Sequence, residues 1–235
     1  MGHVVRLYVD QPLGAGQSVT LGRDHANRLF NVMRMGPGDE LQLFNGVSGE
    51  WRARVREAGK RGGVLEVLEE AAPQRMPPDL WLLFAPIKKE RTDFIVEKAT
   101  ELGAARILPV QTDFTNAERL RQERLAAHAV AAAEQCGGTY VPEVAPLQKL
   151  SSLLDTWPAE RQLMFCDEAA PRGALPTEAG PWAIIVGPEG GFSDAERGRL
   201  AALGHTVSLG PRILRADTAA VAALTLWQSR LGDWA

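Results

Sequence analysis

Apolar and polar positions alternate with a period of two through the first part of the chain, broken by Gly- and Pro-rich punctuation. This reads as strands over residues 4–9, 17–21, 40–44, 50–56 and 63–68, with a turn at 12–16 and a hairpin signal at Asn45-Gly46. One segment changes period. Over residues 24–35 the apolar positions Ala26, Leu29, Phe30 and Met33 form a single helical stripe, with Asn27, Arg28, Asn31 and Arg34 opposite. Many short strands in so small a module predict a barrel of oligonucleotide-binding or PUA-like type. Residues 69–78, with Pro73, Pro77 and Pro78, read as a linker.

Beyond the linker the rhythm is strand, helix, strand. Continuous apolar runs at 80–85, 106–110, 163–166 and 182–186 suit strands buried on both faces. Helices fit 92–102, 117–135 and 217–231, the last with Val221, Leu224, Trp227 and Leu231 at helical spacing. The alternation predicts an α/β domain on a mostly parallel sheet.

Composition narrows the classes. At 235 residues, with 45% hydrophobic and 23% charged positions, the chain can build a core, which excludes disorder and a disulfide scaffold. No apolar run reaches the ~18–20 residues of a membrane span. The start MGHVVRLYVD has no signal pattern, so a cytoplasmic location is expected. Cys136 and Cys166 suit a reducing compartment, and His3, His25, His128 and His205 share no ligand spacing with them, so no metal is expected. The net charge of −3 is unevenly spread. Residues 1–65 hold nine Lys/Arg against six Asp/Glu, giving +3, and the remainder holds seventeen against twenty-three, giving −6. A basic first module fits contact with phosphates.

Candidate chemistry gathers in two glycine loops. In IIVGPEGGFSDAERGR (184–199) a buried strand runs into Gly187-Pro188-Glu189-Gly190-Gly191, and Ser193 and Glu196 form a capping box that starts a helix. Such a loop brings backbone N–H groups close to a ligand at the carboxyl edge of the sheet. It lacks the Lys of a phosphate loop, and Glu189 would repel a pyrophosphate, so a neutral or cationic ligand fits better. A second Gly-Pro loop follows in SLGPRILRADTA (208–219), bracketed by Arg212 and Arg215.

Together GPEGGFSDAE and SLGPRILRADTAAVAAL resemble the signature of the bacterial 16S rRNA (uridine-N3) methyltransferases, SPOUT-superfamily enzymes that use S-adenosylmethionine. The resemblance continues through KKERTDFIVEKATELGAARILPV (88–110), TNAERLRQERL (115–125), AAEQCGG (132–138) and RMGPGDELQLFNG (34–46), and so spans nearly the whole chain. It implies a PUA-like RNA-binding domain over 1–72 and, over 73–235, a SPOUT α/β domain with a deep C-terminal trefoil knot, working as a homodimer. It also implies that S-adenosylmethionine sits in the knot against Phe165, Cys166, Gly187, Pro188, Glu189, Gly190, Gly191, Leu209, Gly210, Ile213, Leu214 and Thr218. The implied reaction is methylation of N3 of a specific uridine in 16S ribosomal RNA, or of the small subunit that contains it.

For that reaction Arg215 is the candidate to stabilise charge on the uracil oxygens, and Asp217 and Glu189 are candidate proton acceptors. Arg6, Arg28, Arg34, Lys88, Lys89 and Arg91 are candidate RNA contacts. The chain departs from the family pattern at Gly138, near Phe114, and at Asp217, where relatives carry Arg, a basic residue and a longer carboxylate. Two other readings remain: a catalytically inactive RNA-binding protein of the same fold, and an α/β enzyme that binds a nucleotide phosphate at the glycine loop.

Overall fold

In the computed structural model, residues 4–117, 119–168 and 175–235 are described. His3 and Glu118, the latter in the predicted helix 117–135, lie outside them. The chain forms two compact units. The first runs to Met76 and also takes in Glu134–Tyr140, and the second holds Pro77–Ala133 and Val141–Ala235.

The first unit is a five-stranded sheet of β1 (Arg6–Tyr8), β2 (Ser18–Leu21), β3 (Glu40–Phe44), β4 (Glu50–Ala58) and β5 (Gly63–Ala72), in the order β1-β3-β4-β5-β2. Only the β1–β3 pair is parallel. The period-two residues Leu7, Val19, Leu41, Leu43, Val55 and Leu65 fill its core, as alternation requires. Among the described residues β1 and β2 end the sheet without pairing with each other, so the expected barrel is a curled PUA-like sheet with two short edges. Register shifts between β4 and β5 supply the local bending.

The predicted helix 24–35 is shorter and of two kinds. α1 (Arg23–Ala26) opens into π-helical turns over Asn27–Val32, and Arg34 ends them with φ of 60°. The wider turn keeps Leu29 buried but takes Met33 off the apolar stripe, leaving it 43% exposed. β5 also extends through the first part of the expected linker, to Ala72.

The second unit is a parallel sheet of β6 (Leu80–Phe84), β7 (Arg106–Gln111), β8 (Glu143–Val144), β10 (Gln162–Cys166), β11 (Trp182–Val186) and β12 (His205–Val207), in the order β12-β10-β11-β6-β7-β8. The short β9 (Gln148–Lys149) pairs with β7. Alternate residues of each central strand face opposite helical layers. Leu82, Phe84 and Ile184 pack with Ile95 of α2 (Lys89–Glu101), Leu125 of α3 (Gln122–Cys136) and Leu224 of α6 (Ala216–Leu231). Leu83, Phe165 and Ile185 pack with Leu150 and Leu154 of α4 (Leu150–Asp155) and Leu200 of α5 (Asp194–Leu203). Both faces are covered, which is why these strands are apolar throughout. The two-residue strands and α4 are too short for a periodic signal.

Candidate cofactor pocket

Strands β12, β10 and β11 are neighbours, so the loops after Val207, Cys166 and Val186 emerge together at the carboxyl edge of the sheet. Between them lies a cavity of about 310 Å³, within the usual size of small-molecule sites. Of the residues expected to hold a cofactor, Cys166, Gly187, Pro188, Glu189, Gly190, Gly191, Leu209, Gly210, Ile213 and Leu214 line it, as does Arg215. Val186, Ala216 and Ala219 add apolar surface.

Two expected residues do not reach the cavity. Phe165 is 1% exposed on the other face of β10 and meets Phe192 edge-on, with centroids 5.3 Å apart. It supports the glycine loop from beneath. Thr218 is exposed on the first turn of α6, where its N–H donates to Asp217 Oδ1 at 3.0 Å.

Local chemistry explains the loop. The capping box is present: Ser193 Oγ accepts from the Glu196 N–H at 3.3 Å, and Glu196 Oε2 accepts from the Ser193 N–H at 3.0 Å. Gly191 has φ of 70°, a conformation side chains resist. A Cβ at Gly187 would lie 2.7 Å from the Phe192 ring, so only glycine lets the loop close over that ring. At Gly190, which also lines the cavity, a Cβ would meet Phe114 at 3.2 Å, so this glycine makes room for a neighbouring loop.

Charges in the cavity are mixed. Asp167 and Glu168 line it, and Arg197 holds both: Nη1 donates to Asp167 Oδ1, and Nη2 to Glu168 Oε1 at 3.0 Å. Burial works against the Arg197 charge, but the hydrogen bonds and attraction from the two carboxylates prevail and hold its pKa above the ordinary value. Glu189 is exposed on the rim and makes no ion pair among the described residues, nor do Arg212 and Arg215, which line the opposite loop. Burial pushes the Cys166 thiol up to about 12, so it is a protonated wall and not a nucleophile. Glu168 and Arg197 were not among the residues expected at the site, although an acidic pair directly after a buried strand is a usable signal.

Asp217 is not in the cavity lining. Its Oδ2 accepts from Arg91 Nη1 at 2.6 Å. This pairing joins a candidate base and a candidate RNA contact to each other, outside the cavity lining. In the first unit Arg6 is also committed internally. Its guanidinium pairs with Glu50, donates to the carbonyls of Glu134 (3.0 Å) and Gly138 (2.9 Å), and lies over the Phe44 ring. With a side chain only 10% exposed it serves the fold. Arg28 donates to Glu134 Oε2 at 2.5 Å but is 43% exposed. Arg34, Lys88 and Lys89 are exposed. Arg23, Lys60 and Arg61, which sequence reasoning missed, surround an open polar concavity of about 560 Å³ with Asp24, Asn27 and Asn31. Among the described residues no group of His, Cys, Asp and Glu could hold a metal, and no helix is long and apolar enough to cross a membrane.

Three loops at the carboxyl edge of a parallel sheet, two of them built on glycines, and a curled β unit in the same chain agree with a class of RNA-modifying transferases, the RNA methyltransferases. Residues 74–228 match the RNA methyltransferase domain family, and residues 27–68 match the RNA methyltransferase PUA domain. More particularly, the chain belongs to the ribosomal RNA small subunit methyltransferase E family. It is 30% identical to the member from Rickettsia conorii, over 93% of each chain, and 27% identical to that from Buchnera aphidicola (Schizaphis graminum), over 98% of each. The crystal structure of the Neisseria gonorrhoeae member bound to S-adenosylmethionine superposes with a TM-score of 0.91 at 30% identity, covering 99% of this chain and all of the other.

Proposed function

We infer that this protein transfers a methyl group from S-adenosylmethionine to N3 of a uridine in small-subunit ribosomal RNA. The observation that carries the reading is the cavity between the loops after β10, β11 and β12, with its mixed charge and no lysine. S-adenosylmethionine carries a carboxylate, an ammonium and a sulfonium but no phosphate, and that pattern suits Arg212 and Arg215 facing Asp167, Glu168 and Glu189. When bound, it supplies an electrophilic methyl group. The apolar side chains Val186, Leu209, Leu214 and Ala219 would enclose its uncharged parts.

The chain's own residues then have two tasks. Uridine N3 becomes nucleophilic once its proton leaves, and negative charge spreads to O2 and O4. Glu189 is our candidate proton acceptor, because its carboxylate is at the rim and lacks an ion pair among the described residues. Arg215, at the N-cap of α6, is our candidate for holding the developing charge. RNA phosphates would meet Arg28, Arg34, Lys88 and Lys89, joined by Arg23, Lys60 and Arg61. Two further features belong to this proposal. One is a trefoil knot, supported by the return of β12 to the free side of β10 after β11 has paired with the other. The second is a homodimer, for which Trp227 gives no support, since it is 3% exposed within its own unit's core.

Calorimetry with S-adenosylmethionine, ATP and NAD tests the cofactor, and only the first should bind. Mass spectrometry of small-subunit RNA from a deletion strain, before and after treatment with the purified protein, should reveal N3-methyluridine at one position. Tight ATP binding, or no new methyl group, would overturn the reading. Sedimentation of a fully active monomer at micromolar concentration would remove the dimer.

A further inference from the structure

A second concavity, of about 830 Å³, adjoins the first and shares Pro188, Glu189 and Gly190 with it. Its other walls come from the loops after β6 and β7, including Ile87, Lys88, Phe114 and Asn116. Strands β11, β6 and β7 are consecutive in the sheet, so this space continues the same carboxyl edge.

Phe114 is the unusual member. It is 48% exposed, yet it stands on a loop with little freedom. The Thr112 N–H donates to Thr115 Oγ1 at 2.9 Å, and the two threonine hydroxyls are 2.8 Å apart. The Asp113 N–H donates to Glu196 Oε1 at 2.9 Å, and Asp113 Oδ2 accepts from Ser193 Oγ at 2.5 Å. The α5 capping box therefore also fixes the loop that carries the ring. Gly190 packs against the root of that side chain, since any Cβ there would crowd it. An aromatic ring fixed in water beside a carboxylate, an amide and an ammonium group suits a flat, polar-edged ligand. Stacking on such a ring tolerates any base, and neighbouring polar groups then read the edge.

We propose that Phe114 is the stacking platform for the target uracil, which lies in this second concavity with its N3 edge toward Glu189 and the cofactor pocket. Asn116 faces the uracil edge and Lys88 the adjoining phosphate. The assignment rests on the methyltransferase reading and adds the place of the substrate base, turned out of its RNA so that N3 can be reached.

The test uses the full chain with Phe114→Ala, Phe114→Tyr and Phe114→Trp. The probes are S-adenosylmethionine, a short single-stranded RNA with one uridine, and the same RNA abasic at that position. Phe114→Ala should keep its affinity for S-adenosylmethionine. It should bind the uridine RNA roughly five- to a hundredfold more weakly, the usual loss for one stacked base, and no longer prefer it over the abasic RNA. KM for the RNA should rise more than kcat falls. Tyr and Trp should restore the preference, and the emission of the Trp variant should be quenched by the uridine RNA alone. If Phe114→Ala discriminates uridine from abasic RNA like the parent, or if Tyr and Trp fail as Ala does, the platform is elsewhere. Failure of the parent protein to bind S-adenosylmethionine would instead strike the methyltransferase reading, because base discrimination is measured without it.

Discussion

Arg91 Nη1 donates to Asp217 Oδ2 at 2.6 Å, joining the first turn of α2 to the first turn of α6 across 126 positions of sequence. The carboxylate is 15% exposed and the guanidinium 34%. The pair engages the Asp217 carboxylate away from the cavity lining. The two helices that flank the site are tied together through one of the candidate bases.

Asp217→Asn should therefore lose stability but keep methyl transfer to within about tenfold. Glu189→Gln should lower kcat by about a hundredfold or more, the usual scale for a general base, with S-adenosylmethionine affinity largely retained. Single-turnover methyl transfer on small-subunit RNA measures both. Equal losses in the two variants would return Asp217 to the chemistry.

Neighbouring glycines should respond differently. Gly191→Ala forces a side chain into a positive φ at a cost of about 1 kcal/mol, and its Cβ would lie 3.3 Å from Glu168 Oε1. Weaker S-adenosylmethionine binding is expected. Gly190→Val crowds Phe114 and should impair RNA binding more than cofactor binding. Calorimetry with each ligand separates the two.

Cys166 gives a pH dependence. Its folded pKa of about 12 lies above the ordinary value of 9.0, so the unfolded chain ionises first as pH rises. The fold then holds more protons than the unfolded state, and stability falls between about pH 9 and 12, by at most ~1.4 kcal/mol per pH unit from this group. Urea melts of the parent and Cys166→Ala should diverge across that window and run parallel below it. At about pH 8 a thiol reagent should label Cys136, which is exposed, and leave buried Cys166 until the protein unfolds.

The basic residues of the first unit should separate into two groups. Arg6→Ala strands Glu50, whose side chain is 12% exposed, and should cost about 2–3 kcal/mol in urea melts. Replacing Arg23, Lys60 and Arg61 with Ala should leave the melt nearly unchanged and flatten the salt dependence of RNA affinity. The slope should fall by about 0.7 for each single-strand phosphate that is no longer neutralised.

These contrasts mark what the sequence could reveal. The central strands β6, β10 and β11 were legible because they are buried on both faces and leave apolar runs. The α5 start was legible because Ser193 and Glu196 satisfy each other three residues apart. Local period and local capping are properties of neighbouring residues. The pairs Arg91–Asp217, Arg6–Glu50 and Asp113–Ser193 depend on partners 126, 44 and 80 positions away, for which composition has no mark. Candidate arginines therefore looked alike in sequence, although some are spent on the fold and others face solvent.

The first unit includes Glu134–Tyr140, and with it the carboxylate that accepts from Arg28 and the carbonyls that accept from Arg6. During synthesis the N-terminal unit cannot acquire these partners until the ribosome has passed residue 140, well beyond the middle of the chain. A nascent chain stopped at Met76 would hold its strands but leave Arg6 and Arg28 without those acceptors. Completion of the first unit therefore waits on synthesis of a large part of the second, and a stand-alone fragment ending at residue 76 should fold less stably than one supplied with the 134–140 segment.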